Sequence, residues 1–289
     1  MTFLTRFAPS PTGPLHLGHA YSALLAHDMS RARNGRFLLR IEDIDQSRAR
    51  PEWETAIHDD LRWLGITWSG TVLRQSERAP TYAAALAKLW SRGLLYPCTC
   101  TRRDIETAAA APQEGAPPHG PDGLIYPGTC RPTRPVTTLP YPTDTALRLD
   151  LRRALASLHS PALGFHETGS GPAGDTGGIN ITQASLLDTV GDVVLLRRNM
   201  GTSYHLSVVL DDAAQGITLV VRGQDLFEAT RIHVLLQRLL DLPTPIYHHH
   251  RLIRDENGKR LAKRDDARAI AKYRAQGATP ADIRAMVGL

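Results

Sequence analysis

Pro9-Ser10-Pro11-Thr12-Gly13-Pro14-Leu15-His16-Leu17-Gly18-His19 stands between a short apolar run, Phe3-Leu4, and a stretch with helical spacing. The order is therefore strand, Pro/Gly turn, helix, and it opens an α/β fold. Such a turn suits a phosphate. Gly18 lets a phosphate approach the backbone, and the helix N-terminus supplies N–H groups and a favourable dipole. His16 and His19 add side-chain donors that can meet charge building on a phosphoryl group.

Working outward, Ala20/Leu24, Tyr21/Leu25 and Leu25/Met29 are spaced i, i+4, which predicts a helix to about Arg33, stopped by Asn34-Gly35. Phe37-Leu38-Leu39-Arg40-Ile41 then reads as a buried strand, closing a β–α–β unit. Helical stretches follow at 51–64 and 80–92. Nine of the 20 prolines lie between Pro112 and Pro142, which excludes a long regular element there. The glycine-rich stretch Gly164 to Gly178 reads as loop, while Ala146 to Leu158 reads as strand then helix. Val193–Leu196 and Ile217–Val221 resume the buried-strand pattern, and Glu228–Leu240 reads as a helix. These patterns predict a doubly wound, Rossmann-like fold in four parts. Residues 1–95 form its first half, 96–185 an insertion, 186–245 its second half, and 246–289 a loop and short basic C-terminal region.

Composition narrows the class. At 289 residues, 42% hydrophobic and 22% charged, the chain has the make-up of a globular protein with a large core. It contains no apolar run of membrane-spanning length and no signal-peptide core, so the expectation is a cytoplasmic protein without a membrane partner. The three cysteines do not make a disulfide framework. A net charge of +5 fits an acidic partner such as RNA, but is weak evidence alone.

The opening string resembles the nucleotide signature of class I aminoacyl-tRNA synthetases, and its Pro-Ser-Pro-Thr-Gly lead-in resembles the glutamyl/glutaminyl branch. Leu39-Arg40-Ile41-Glu42-Asp43-Ile44-Asp45, Tyr204, Val221-Arg222-Gly223-Gln224-Asp225-Leu226 and Arg260-Leu261-Ala262-Lys263-Arg264 follow in the order of a glutamyl-tRNA synthetase catalytic domain. The resemblance implies that Arg6, Arg222 and the Tyr204 hydroxyl face the glutamate side-chain carboxylate, while Glu42 and Ser10 engage the amino-acid end. It implies ATP at His16, Gly18, His19 and Lys263, with His16, His19 and Lys263 as the catalytic set and Mg²⁺ on the phosphates. Arginine suits a carboxylate through charge-assisted bonds, and a glutamine site would leave two such cations unpaired. Arg260 and Ala262 depart from the family's Lys-Met-Ser-Lys-Ser-type loop: the charges survive but a hydroxyl is lost.

Cys98-x-Cys100 and Tyr126-x-x-x-Cys130 lie in the expected insertion. Thiolates are strong Zn²⁺ ligands, and a structural site takes four ligands. With three thiols the fourth must come from elsewhere: His119 on general chemistry, Tyr126 by resemblance to small members of the family. Only 25 residues follow Arg264, which leaves no room for an anticodon-binding domain. That combination resembles the glutamyl-Q tRNA(Asp) synthetase family. The resemblance implies tRNA-independent activation of L-glutamate with ATP, one structural zinc, and transfer to the queuosine base at the wobble position of tRNA(Asp), by a monomer. The competing expectations are a truncated synthetase charging a tRNA 3′ end, another nucleotidyltransferase of the same superfamily, and a non-catalytic RNA-binding paralogue.

Overall fold

The computed structural model describes residues 2–109, 119–136, 142, 144–160, 162–254 and 268–289. Its first part runs β1 (Leu4–Phe7), α1 (Leu17–Ala32), β2 (Arg36–Ile41), α2 (Pro51–Trp63), β3 (Leu73–Arg74) and α3 (Ala79–Ser91). The middle holds β4 (Leu95–Cys98), α4 (Arg102–Ala109), β5 (His119–Gly120), β6 (Gly123–Leu124), β7 (Ala146–Leu149) and α5 (Leu151–Ala156). Then come β8 (Leu163–Glu167), β9 (Gly177–Ile181), α6 (Gln183–Thr189), β10 (Val194–Leu196), α7 (Tyr204–Ala214), β11 (Leu219–Gly223), α8 (Ala229–Leu240), β12 (Ile246–His250), α9 (Ile270–Ala275) and α10 (Pro280–Val287).

Two mainly parallel sheets stand side by side. One has the order β1-β2-β3 and the other β11-β12-β8-β9, in which β8 and β9 are antiparallel. They meet where Thr218 N–H donates to the Leu4 carbonyl at 3.0 Å. Beyond that point no ladder joins β1 to β11 among the described residues. The chain thus winds outward in both directions from β1 and β11, and a crevice opens at the carboxyl ends of these strands, where such folds bind ligands. Leu24, Leu39, Ile41 and Leu61 are fully buried beneath the first sheet, each stabilising the fold by about 1.5–3 kcal/mol.

A third, antiparallel sheet, β10-β7-β4, carries the middle of the chain. It is no satellite: Leu95, Leu147, Leu149 and Leu195 share one apolar core with Leu206, Val220 and Leu235 of the second half. At the other end of the chain, α10 is docked on α1. Thr279 caps it reciprocally with Asp282, Ile283 and Val287 are buried, and Arg284 forks onto Asp28 at 2.7 and 3.0 Å.

Three sequence expectations are corrected. The stretch Gly164 to Gly178 contributes to β8 and β9 instead of being all loop. Its period-two pattern was hidden because one inward residue is Glu167, buried against a partner from β12. β10 joins the sheet of the expected insertion, not that of the second half. β12, placed by sequence in the basic C-terminal region, is an inner strand of the second sheet.

Candidate active site

The turn expected to hold phosphate closes on itself through its histidines. His16 is the N-cap of α1, and its Nδ1 accepts from Gly18 N–H at 3.1 Å; His19 Nδ1 accepts from His16 N–H at 3.2 Å. With both Nδ1 atoms accepting, the neutral rings carry their protons on Nε2. The rings lie 3.8 Å apart between centroids. A Cβ at Gly18 would sit 3.0 Å from His16 Cε1, so a bare glycine makes room for the capping ring as well as for a ligand.

These residues line a cavity of about 370 Å³ at the crevice. Arg6, Ser10, Glu42, Tyr204 and Arg222 line it too, with Ser22, Asp225, His250, Leu252 and Ile253. Every residue expected from sequence to meet glutamate or ATP is therefore gathered there except Lys263. Lys263, with Arg260 and Ala262, lies outside the described residues. The chain on either side of them is at the cavity: Ile253 lines it, and Ile270 N–H donates to the carbonyl of Leu15 in the motif turn at 2.9 Å.

Arg6 and Arg222 are buried, not surface arginines. Arg6, on β1, forks onto Asp212 of α7 through Nε at 2.9 Å and Nη2 at 3.3 Å. Fully buried Arg40, on β2, donates to the same carboxylate at 2.7 Å and to Glu42 at 3.1 Å. Burial raises the Asp212 pKa, but Arg6 and Arg40 outweigh it and bring it down to about 2. Burial wins at Glu42, whose pKa lies above the ordinary range despite Arg40 and Arg6. Tyr204 is likewise raised by burial, against the pull of Arg222, so its hydroxyl stays protonated and can donate.

Arg222, on β11, is held differently. Its Nε donates to His249 Nε2 at 3.1 Å, Nη1 to His233 Nδ1 at 3.1 Å, and Nη2 to Thr230 Oγ1 at 2.7 Å and the Leu226 carbonyl at 3.3 Å. These bonds engage four of its five N–H donors.

The second expected site also assembles. Cys98, Cys100 and Cys130 bring their sulfurs within 4.8 Å of one another. Tyr126 Oη lies among them, 3.5 Å from Cys98 Sγ and 3.4 Å from Cys100 Sγ, and it accepts from Cys130 N–H at 2.8 Å. His119, on β5, is not part of this sulfur group. Zinc–sulfur bonds of about 2.3 Å in a tetrahedron imply edges of about 3.8 Å. The 3.4 Å Cys100–Cys130 separation and the two sulfur–oxygen distances fit that figure with small adjustment. Burial opposes ionisation of Cys130, yet hydrogen bonds from Tyr126 and the Thr99 backbone pull its thiol down to about 6. Arg148 donates to Cys98 Sγ at 3.3 Å and lies 3.8 Å over the Tyr126 ring, bringing a cation to the edge of the cluster.

Comparison with known proteins fits this geometry. The model of the catalytic domain of class I tRNA synthetases (E and Q) matches residues 2–121 and 176–289. A glutamyl-Q tRNA(Asp) synthetase of Rhodobacter capsulatus is 66% identical over 99% of this chain and 100% of its own length. The chain belongs to the glutamyl-Q tRNA(Asp) synthetase family. It is a ligase of the class I tRNA synthetase type. The family member of Nocardia farcinica is 41% identical, over 98% of this chain and 82% of its own. Among solved structures, a glutamate tRNA ligase of Elizabethkingia meningosepticum in complex with its amino acid superposes with a TM-score of 0.75 at 25% identity. That match covers 99% of this chain and 60% of the solved one. No helix among the described residues is long and apolar enough to cross a membrane.

The sequence reading missed Asp212, His249, His233 and Glu167, and it quoted Arg40 without a role. Asp211-Asp212 on an otherwise apolar helical run was the available signal, since adjacent carboxylates facing a core need cations. The run His248-His249-His250 offered none, because its strand character depends on pairing with β11 and β8.

Proposed function

We propose that this chain activates L-glutamate with ATP, without tRNA, to glutamyl-adenylate and transfers the glutamyl group to the queuosine base at the wobble position of tRNA(Asp) in the cytoplasm. The observation that carries the reading is the convergence of Arg6, Arg222, Tyr204 and Glu42 with the His16/His19 turn on one cavity. Two buried guanidinium groups and a protonated phenol suit a side-chain carboxylate, and Glu42 suits the substrate ammonium. The glutamate α-carboxylate is already ionised, so its attack on the ATP α-phosphorus, with pyrophosphate leaving, needs no general base. His16 and His19 supply Nε2–H donors, and Lys263 a cation, to charge growing on the phosphates. Mg²⁺ arriving with ATP would neutralise phosphate charge. Cys98, Cys100, Cys130 and Tyr126 would hold a structural zinc, which braces the fold around them.

The test is transfer of labelled glutamate to tRNA(Asp) with and without queuosine, followed by nuclease cleavage to locate the label. Label in the anticodon-loop fragment of the queuosine-bearing tRNA alone is the expected result. Label at the 3′ end would make the chain a charging enzyme instead.

A further inference from the structure

Arg6 and Arg222 face the same cavity but are oriented by opposite means. Arg6 is bonded to a carboxylate, Asp212, which Arg40 shares. The Arg222 guanidinium has no carboxylate bonded to it among the described residues; its side-chain partners are Thr230 and two imidazoles. Both imidazoles accept from Arg222, which sets their tautomers. His249 therefore carries its proton on Nδ1 and donates to Glu167 Oε2 at 2.5 Å. His233 carries its proton on Nε2 and donates to His205 Nδ1 at 3.1 Å. His205 Nε2 in turn lies 3.6 Å from Asp122, in the turn between β5 and β6. Burial, followed by the Arg222 charge, holds His233 far below the ordinary imidazole range, so it stays a neutral acceptor. The negative charges thus stand one or two residues back from Arg222, where they orient its partners without pairing with it. A buried cation left this way is costly unless a carboxylate enters.

We infer that His249, backed by Glu167, and His233, backed by His205, are positioning residues that hold Arg222 in place while leaving its charge for the substrate, and so set the preference for a carboxylate over an amide. The inference rests on the glutamate reading of the cavity. Its geometry assigns the substrate carboxylate one N–H of Arg222, beside the Arg6 N–H groups that Asp212 leaves over.

The test is amino-acid-dependent ATP–pyrophosphate exchange, with KM values for glutamate and ATP and the glutamate/glutamine ratio of kcat/KM. His249→Glu places a carboxylate on Arg222, and the ratio is expected to fall by about tenfold or more, with ATP KM changed less than about twofold. His249→Phe removes the acceptor and is expected to raise glutamate KM by about tenfold. His249→Gln, whose Oε1 can stand where Nε2 stood, recovers most of that loss, as His233→Asn does relative to His233→Phe. An unchanged ratio in His249→Glu, a parallel rise in ATP KM, or no recovery by Gln and Asn overturns the inference. Arg222→Gln separates the two levels. If it too leaves the ratio unchanged, the glutamate reading fails; if it abolishes the preference while the histidine variants do not, only the positioning role fails.

Discussion

The cavity draws its charged side chains from strands as distant in sequence as β1 and β11, whereas the cysteine cluster is assembled within Cys98 to Cys130. The first is braced from all sides. Arg6 and Arg40 share the Asp212 carboxylate in the buried interior, Arg40 also reaches Glu42, and Arg222 sits in a cage of fixed acceptors. The cluster's own core is Tyr96, Cys98 and Tyr126, and its sulfurs converge where a metal could sit. A cavity lined by charge is thus preformed by buried polar bonds, while a group of soft ligands would take its cohesion from an ion it bound.

The largest break in this contrast is Asp212→Ala. It strands buried Arg6, leaves Arg40 with Glu42 alone, and should cost about 3–5 kcal/mol by urea unfolding, with loss of glutamate activation. Its pH dependence has a definite sign. Asp212 is depressed in the fold, so its contribution is fully present above the unfolded pKa and lost as pH falls through about 2. That contribution is about 2 kcal/mol, read from unfolding curves between acid and neutral pH. In the cluster, Tyr126→Phe should weaken zinc by about 10–100-fold in chelator competition, by analogy with lost supporting groups, while glutamate KM stays near its starting value. If the cysteines hold zinc as proposed, chelation should open the chain at β4 and around Cys130 to protease before the strands around the cavity are cut.

The same contrast explains what could be read in advance. Residues that would touch substrate sit at strand ends and turns. The His16/His19 turn shows its chemistry through residue type and spacing, while Arg6, Glu42 and Arg222 were legible through the order of motifs that resembles a glutamyl-tRNA synthetase. The residues that hold them lie on other elements. Asp212, His249 and Glu167 are buried polar groups whose meaning comes from partners as many as 206 positions away. Local periodicity cannot register such pairs, and it misplaces the strands that carry them, as with β8 and β12. The cysteines were legible because all their spacing is local.

Smaller effects sharpen the contrast further. Lys263→Ala should lower activation by at least about tenfold with little change in zinc affinity, since the chain leaves and re-enters the described fold at the cavity. Gly18→Ala would push on the His16 ring and should raise ATP KM by about tenfold or less, leaving thermal stability nearly unchanged.

The most direct measurement is ATP–pyrophosphate exchange on purified, zinc-loaded protein with glutamate, glutamine or aspartate, each with and without tRNA. Exchange with glutamate alone and without tRNA is the predicted result. Exchange that requires tRNA, or that runs equally well with glutamine, would contradict the assignment of Arg6 and Arg222 to a glutamate carboxylate in a self-sufficient activation site.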